Sequence, residues 1–233
     1  MPAKIAIAVP SHDNCPIGFA GDLAAMAMYS REKLGPEIEI GICMIGGTYI
    51  HSARRKILRM CMDQKCTHIL WLDSDMRFPQ DTLVRLLNHQ KDLVGINYAN
   101  RIFPTGFVAF KKLDDEVSIR LETLPESTGL VEVDALGFGA LLMTQAVFKV
   151  LPPLDEDPWF TYDWKQGGIE VGEDVHFCKL VKRRGITLYV DQDLSKDCGH
   201  VGVMTYMLQM VPISQKVVED EKAAKARGQV SVA

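Results

Sequence analysis

Two hydrophobic patterns alternate along the first part of the chain, and each predicts a different element. Apolar or alternating runs of strand length occur four times, at 4–10, 37–42, 69–72 and 93–96. Between them, apolar residues recur every three or four positions, as in helices with one buried face, over 19–33, 53–64 and 80–90. This order predicts an α/β protein with a mostly parallel central sheet covered by helices on both faces.

The pattern changes after residue 100. Short strands follow, separated by turns and charged residues, at 107–110, 119–121 and 130–133. They predict a small antiparallel insertion beside the main sheet, because no linker rich in Gly, Ser or Pro marks an independent domain. A helix over 173–184 and a strand over 186–190 then complete a single domain, 1–205, which a charged helical tail follows at 206–233.

The bulk composition fits a soluble globular domain. The 233 residues are 47% hydrophobic and 24% charged, and no window reaches the roughly eighteen uninterrupted apolar residues of a membrane span. The formal net charge of −4 gives no electrostatic signal for nucleic acid. Because the N-terminus leads into a strand without the features of a signal peptide, we expect a cytoplasmic protein.

The cysteines give a second compositional signal. Six cysteines without a Cys-x-x-Cys pair predict free thiols in a reducing compartment. His176 and Cys178 can be drawn together with Cys198 and His200 as a zinc site, but this spacing matches no common zinc module.

The strongest chemical signal is a pair of carboxylates at the end of the third strand. The apolar run 69–72 stops abruptly at Asp73, Ser74 and Asp75. Side chains alternate along a strand, so Asp73 and Asp75 are expected on one side and Ser74 on the other. Two carboxylates beyond the carboxyl end of a buried strand repel each other unless a cation lies between them. A divalent metal that also binds a phosphate-bearing substrate meets this need, and a solvated turn is the plainer alternative.

Other residues with candidate chemistry lie at predicted helix starts and in a loop. Ser52 is a good N-cap, which places Arg54 in a first turn, where a bound phosphate would relieve its conflict with the helix dipole. Glu173 and Asp174 open a later helix, a position that suits acidic residues even without a functional role. His200 lies between two glycines and is free to reach a pocket, either as a metal ligand or as a hydrogen-bonding loop residue.

Two segments could line a pocket for a substrate. Gly137 and Gly139 flank Phe138 before an apolar strand, which permits close approach of the backbone to a ligand or tight packing alone. The loop 152–168 carries aromatic residues that suit a mobile lid over a sugar, or that pin the loop onto the core. These aromatic residues are Trp159, Phe160, Tyr162 and Trp164.

In their order along the chain, four short motifs resemble the GT-A fold nucleotide-sugar glycosyltransferases, in particular the phage and bacterial enzymes of the family 2-like type. They are the Asp-x-Asp pair, Ala53-Arg54-Arg55, Glu173-Asp174 and His200-Val201-Gly202. The resemblance covers roughly residues 4 to 202. It implies a Rossmann-like fold with a nucleotide-binding half, 1–100, and an acceptor half, 101–205. Many of these enzymes have Ala-Arg-Asn where this chain has Ala53-Arg54-Arg55.

The resemblance also implies residue roles. Contacts with the donor nucleotide would come from Pro10, Ser11, His12, Asp13, Arg54, Asp73 and Ser74. Asp73, Asp75 and His200 would bind a divalent metal, with Mn²⁺ favoured over Mg²⁺ because of the imidazole. Asp174 is the first choice, and Glu173 the second, for the base that deprotonates the acceptor. The acceptor and sugar pocket would be lined by Gly137, Phe138, Gly139 and Trp164.

The implied function is metal-dependent transfer of a sugar from a nucleoside-diphosphate sugar, with a UDP-sugar favoured, to an acceptor hydroxyl. The acceptor class stays open between a modified DNA base, a glycan, a lipid and a protein. The alternatives are a non-catalytic protein of the same fold that binds sugar nucleotides or carbohydrate, and a haloacid-dehalogenase-like phosphohydrolase. The tail, 206–233, is expected to cover the site or to pack against a second subunit in a homodimer.

Overall fold

The computed structural model describes residues 3–114, 117–154, 156, 158–165, 169–202 and 205–226, with the backbone alone at 163–165, 169–170 and parts of the last helix. The helices are α1 Ile17–Leu34, α2 Ile50–Asp63, α3 Thr82–Asn88, α4 Gln145–Val150, α5 Glu173–Arg183, α6 Gln192–Lys196 and α7 Met210–Ala226. The first seven strands are β1 Lys4–Pro10, β2 Glu39–Ile45, β3 His68–Leu72, β4 Met76–Arg77, β5 Leu93–Gly95, β6 Phe110–Leu113 and β7 Ser118–Arg120. The others are β8 Leu130–Val133, β9 Ala140–Thr144, β10 Asp163–Lys165, β11 Ile169–Val171, β12 Leu188–Asp191, β13 Gly199–Val201 and β14 Thr205–Met207.

The main sheet has seven strands in the order β2-β1-β3-β9-β5-β12-β8. Five of them run in one direction, and β9 and β8 run in the other. The α/β class and the predominantly parallel sheet are confirmed, but the sheet is mixed. Strand β9 lies between β3 and β5 and pairs antiparallel with both. Residues 140–143 are buried, which suits a strand in the middle of the sheet.

Helices cover both faces of the sheet, as the sequence predicts. On one face, the bulky side chains of Ile5 and Ile7 belong to a core that α1 and α3 complete. On the other face, Ala6 and Ala8 belong to a core that contains residues of α2 and α5. Small side chains on a central strand let a helix approach closely, which explains the alternation of large and small residues in β1.

Helix α2 begins earlier than the sequence indicates. It starts at Ile50 with Tyr49 as its N-cap, and the N–H group of Ala53 donates to the carbonyl of Tyr49 at 2.9 Å. Ser52 is therefore inside the helix, and the prediction that it caps the helix was wrong. Arg54 consequently lies in the second turn, so the predicted conflict with the helix dipole does not arise.

The predicted antiparallel insertion has two parts. Strands β6 and β7 form a separate hairpin, whereas β8 joins the main sheet and pairs antiparallel with β12. A small sheet of β14, β13 and β4 lies beyond the Asp-x-Asp residues. In it, His200 pairs with Met76, which brings the late histidine next to the residue that follows Asp75.

Two alternatives from the sequence are settled by burial. Trp159 and Phe160 are buried among Phe177 and other rings, so they pin their loop onto the core and do not belong to a mobile lid. Cys178 and Cys198 belong to cores on opposite faces of the sheet, which contradicts the zinc alternative. In the part of the chain that the structure describes, no helix is long and apolar enough to span a membrane.

Candidate functional site at the carboxyl edge of the sheet

The candidate site lies where the parallel strands end. The loops after β1, β2, β3 and β5 leave this edge, and the antiparallel strand β9 enters the sheet from it. In open α/β sheets, ligands bind outside the carboxyl ends of the strands, so this edge is the expected place for a site. Asp73, Asp75 and the glycines that precede β9 all lie here.

The two aspartates occupy a turn between β3 and β4. Strand β3 ends at Leu72, and the N–H group of Met76 donates to the carbonyl of Asp73 at 3.2 Å. Asp73 and Asp75 therefore lie in a turn and not on a strand, so strand alternation does not orient their side chains as predicted. The two carboxylates are nevertheless close enough for the charge of Asp75 to raise the pKa of Asp73, and Ser74 lies between them in the turn.

Asp73 pairs with a buried arginine. Its Oδ1 accepts a hydrogen bond of 2.8 Å from Nη2 of Arg54, whose side chain is only 3% exposed. Arg54 also lies 4.4 Å above the ring of Phe138, and its Nε is 3.5 Å from Oε1 of Glu173. Burial raises the pKa of Asp73, and although Arg54 opposes that rise, the charges of Asp75 and Glu173 reinforce it.

Asp75 pairs with an arginine that is more exposed than Arg54. Its Oδ2 is 2.7 Å from Nη1 of Arg101, and its Oδ1 is 3.5 Å from Nε2 of His200. Burial alone would raise the pKa of Asp75, but the contacts with His200 and Arg101 outweigh it and lower that pKa. The backbone carbonyl of Asp75 also accepts from the N–H group of Val201 at 2.7 Å, which ties the turn to β13.

The orientation of His200 is fixed by its neighbours. Nδ1 lies 3.0 Å from the carbonyl of Ala99, and since a carbonyl can only accept, Nδ1 carries the proton. Nε2, the other ring nitrogen, faces Oδ1 of Asp75 at 3.5 Å. A histidine that donates its second nitrogen to a backbone carbonyl is typical of metal ligands.

Tyr98 forms a wall of the site that the sequence did not indicate. Its ring meets His200 edge-on, with centroids 5.2 Å apart. A Cβ on Gly137 would lie 2.2 Å from the Tyr98 hydroxyl, and one on Gly139 would lie 2.6 Å from its ring. The packing of Tyr98 therefore requires glycine at both positions, which agrees with the alternative of tight packing alone. Burial, followed by the charges of Asp73 and Asp174, raises the pKa of Tyr98 well above its usual value.

Asp174 lies in the first turn of α5 next to Glu173. Its Oδ1 accepts from the N–H group of Val175 at 2.7 Å. Burial, followed by the charge of Glu173, raises the pKa of Asp174 to about 6, and Asp73 contributes in the same direction. A carboxyl group with this pKa is mostly ionised at neutral pH and accepts a proton more readily than an ordinary aspartate.

The metal centre predicted from Asp73, Asp75 and His200 is not preformed. Among the described residues, no three His, Cys, Asp or Glu side chains are placed to hold a metal, because the two aspartates each turn to an arginine. The three residues do share one neighbourhood, and two carboxylates with one imidazole are a donor set that suits Mn²⁺. The residue types fit a divalent metal if Asp75 releases Arg101.

The remaining predicted residues are placed less centrally. Pro10 ends β1 and Ser11 is buried, whereas His12 and Asp13 are exposed and pair with each other at 2.7 Å. The N–H group of Gly47 donates to the carbonyl of His12, so the loops after β1 and β2 meet. Trp164 lies in β10, but its side chain is outside the described part of the structure. The roles of these residues, and the contact of Arg54 with a diphosphate, stay predictions.

Two solved structures share this fold over most of the chain, although no family model matches it. A197 from STIV has a TM-score of 0.55 at 15% identity, and the match covers 86% of each chain. GalNAc-T7, crystallised with UDP, GalNAc and Mn²⁺, has a TM-score of 0.50 at 10% identity, covering 87% of this chain and 44% of that one. At these identities the likeness shows the fold alone. The fold resembles that of a glycosyltransferase.

A sequence relative gives no functional information about the site. The putative BTB/POZ domain-containing protein L742 of Acanthamoeba polyphaga mimivirus is 25% identical over 122 residues. The match covers 51% of this chain and only 26% of that protein, so the chain spans about a quarter of this relative.

Proposed function

We propose that this protein transfers a sugar from a nucleoside-diphosphate sugar to an acceptor hydroxyl. The observation that carries the proposal is the charge balance at the carboxyl edge of a glycosyltransferase-like sheet. Among the described residues, the four carboxylates of Asp73, Asp75, Glu173 and Asp174 lie near three guanidinium groups, those of Arg54, Arg101 and Arg120. The carboxylates outnumber the guanidinium groups, so a divalent cation would offset the excess negative charge, and an anionic diphosphate would bind poorly without it.

The binding roles follow from the contacts of each side chain. Asp73, Asp75 and His200 would hold the metal, which when bound would offset the charge of the leaving diphosphate. Arg54 holds Asp73 and Glu173 in place from the buried side. Because the structure of GalNAc-T7 contains UDP and Mn²⁺, we propose UDP and Mn²⁺ as the first pair to test.

Asp174 is the proposed general base. Its carboxylate takes the proton from the acceptor hydroxyl while the hydroxyl oxygen bonds to the anomeric carbon. The bond from that carbon to the diphosphate oxygen breaks, and its electron pair leaves with the diphosphate. Attack from the opposite side inverts the anomeric centre. Glu173 supports this role, since its charge contributes to the raised pKa of Asp174.

A thermal-shift panel tests the proposal. The purified protein is heated with UDP-, GDP-, CDP- and dTDP-sugars, in Mn²⁺ and in EDTA. We expect one nucleotide to raise the melting temperature in Mn²⁺ only, since a ligand at 100 times its Kd stabilises the native state by about 2.7 kcal/mol. If no nucleotide shifts the melting temperature in Mn²⁺, the protein is not a nucleotide-sugar enzyme.

A second measurement separates an enzyme from a binding protein of the same fold. Mn²⁺-dependent hydrolysis of the bound donor, without an acceptor, is expected for the wild type. Asp174→Asn should keep nucleotide binding and lose turnover by about 10²- to 10⁴-fold, the usual contribution of a general base. Binding without any hydrolysis in the wild type would favour the non-catalytic alternative.

A further inference from the structure

Arg101 is a site residue that no sequence motif indicated. It lies just beyond β5 in a tight loop, 100–106, whose base is closed by hydrogen bonds of Asn100. The N–H group of Asn100 donates to the carbonyl of Gly106 at 2.9 Å, and its Oδ1 accepts from the N–H group of Gly106 at 3.1 Å. The loop thus leaves the sheet at the same edge as the two aspartates.

The side chain of Arg101 crosses to the Asp-x-Asp turn. Besides Oδ2 of Asp75 at 2.7 Å, its Nη1 donates to the carbonyl of Val201 at 3.2 Å. The side chain is 45% exposed, in contrast to the buried Arg54. Arg101 is therefore an arginine of the site that solvent and ligands can reach.

The contact with Arg101 explains why the metal centre is not preformed. Oδ2 of Asp75 is occupied by a guanidinium group, and only Oδ1 faces His200. A metal that takes Asp75 must either compete with Arg101 or displace it. A displaced guanidinium group would lie beside the incoming diphosphate, to which it can make two parallel hydrogen bonds.

We propose that Arg101 is a diphosphate-binding residue that pairs with Asp75 in the ligand-free protein and with the diphosphate once the metal and nucleotide bind. The inference rests on the proposed function and deepens it. In this exchange Asp75 and Arg101 each keep a partner of opposite charge, because the metal takes the place of Arg101 at Asp75 and the phosphate takes the place of Asp75 at Arg101. The tip of the loop is not packed into the core, since Ile102 and Phe103 are 73% and 64% exposed.

The proposal requires two binding effects of opposite sign from one substitution. Isothermal titration calorimetry measures the affinity for Mn²⁺ alone, and then for UDP at saturating Mn²⁺. Arg101→Gln removes the competitor for Asp75, so Mn²⁺ alone should bind roughly two- to fivefold more tightly, on the scale of an exposed ion pair. UDP should bind about tenfold or more weakly, because a hydrogen bond to a charged group is lost. Arg101→Lys should recover part of the UDP affinity.

Arg77→Gln is the matched control. Arg77 is 44% exposed and makes two hydrogen bonds to Asp22, at 2.6 and 3.2 Å, so it is an exposed arginine whose ion pair lies outside the proposed ligand contacts. We expect it to leave both affinities unchanged. If Arg101→Gln moves the two affinities in the same direction, or changes neither, Arg101 is not a diphosphate-binding residue. If the wild type binds Mn²⁺ but none of UDP, GDP, CDP and dTDP, the proposed function itself is wrong.

Discussion

The two aspartates of the Asp-x-Asp turn are two positions apart, yet they occupy different environments. Asp73 pairs with Arg54, which is 3% exposed and comes from α2. Asp75 pairs with Arg101, which is 45% exposed and comes from a loop. Burial raises the pKa of Asp73, whereas the contacts of Asp75 with His200 and Arg101 lower its pKa against the effect of burial.

This difference divides the site into a fixed side and an exchangeable side. Loss of one partner from a buried pair leaves an uncompensated charge in the interior, so Arg54 and Asp73 act as a rigid support. An exposed pair is weak because water can replace either partner. The ligand is therefore expected to change the contacts of Asp75 and to leave those of Asp73 in place.

The largest expected effect is on the fixed side. Arg54→Met keeps an apolar side chain over Phe138 but leaves the carboxylates of Asp73 and Glu173 without their buried cation. We expect the free energy of unfolding to fall by about 3–5 kcal/mol, measured by urea denaturation. A loss below about 1 kcal/mol would mean that Arg54 is not the support of this side.

Asp174 provides a second test of the comparison. Its carboxylate lies on the fixed side, where the charge of Asp73 contributes to its raised pKa. The fold raises the pKa of Asp174 from 3.8 to about 6. Above pH 6 the ionised carboxylate therefore destabilises the folded state, and this cost disappears as the pH falls below 4. Asp174→Asn should raise the free energy of unfolding at pH 7 by about 1–2 kcal/mol, a value reduced for the partial exposure of the side chain. The gain should vanish near pH 4.

The matched variant for this prediction is Asp75→Asn, since the pKa of Asp75 is shifted in the opposite direction. It should lower the stability at pH 7, and this loss should shrink as the pH falls. Both pH profiles come from urea denaturation at fixed ionic strength. Changes of the same sign for Asp174→Asn and Asp75→Asn would contradict the division into two sides.

Local patterns predicted the longer helices and the strands of the first part of the chain, because they depend on neighbouring residues alone, whereas the strand predicted at 107–110 lies at Phe110–Leu113. The strand over 130–133 has the expected bounds, and the first helix differs from its prediction by two residues at its start and one at its end. The neighbours within the sheet were not predictable in this way. A short apolar strand such as β9 fits a central position in either direction, and its pairing with β3 and β5 is decided by contacts far along the chain.

The sequence indicated the acidic residues of the candidate site and Arg54, but it did not indicate Arg101. Asp73, Asp75 and His200 stood out by spacing and by flanking glycines, and the structure brings them together. Arg101 belongs to no periodic pattern, so only its position after the carboxyl end of β5 could have indicated it. Arg54 was singled out for a phosphate, but burial behind Asp73 gives it contacts with carboxylates.

The smallest expected effect is on the exchangeable side. Arg101→Gln should change the free energy of unfolding by less than about 1 kcal/mol, because exposed ion pairs contribute little. Arg77→Gln breaks a pair with two hydrogen bonds to Asp22, so its loss should be the larger of the two. Urea denaturation at low and high salt measures both, and high salt should shrink the two differences further. A loss above about 2 kcal/mol for Arg101→Gln would place Arg101 among the supports of the fold. A small loss means that any change in the ligand affinity of Arg101→Gln arises from the lost contact with the ligand and not from a less stable fold.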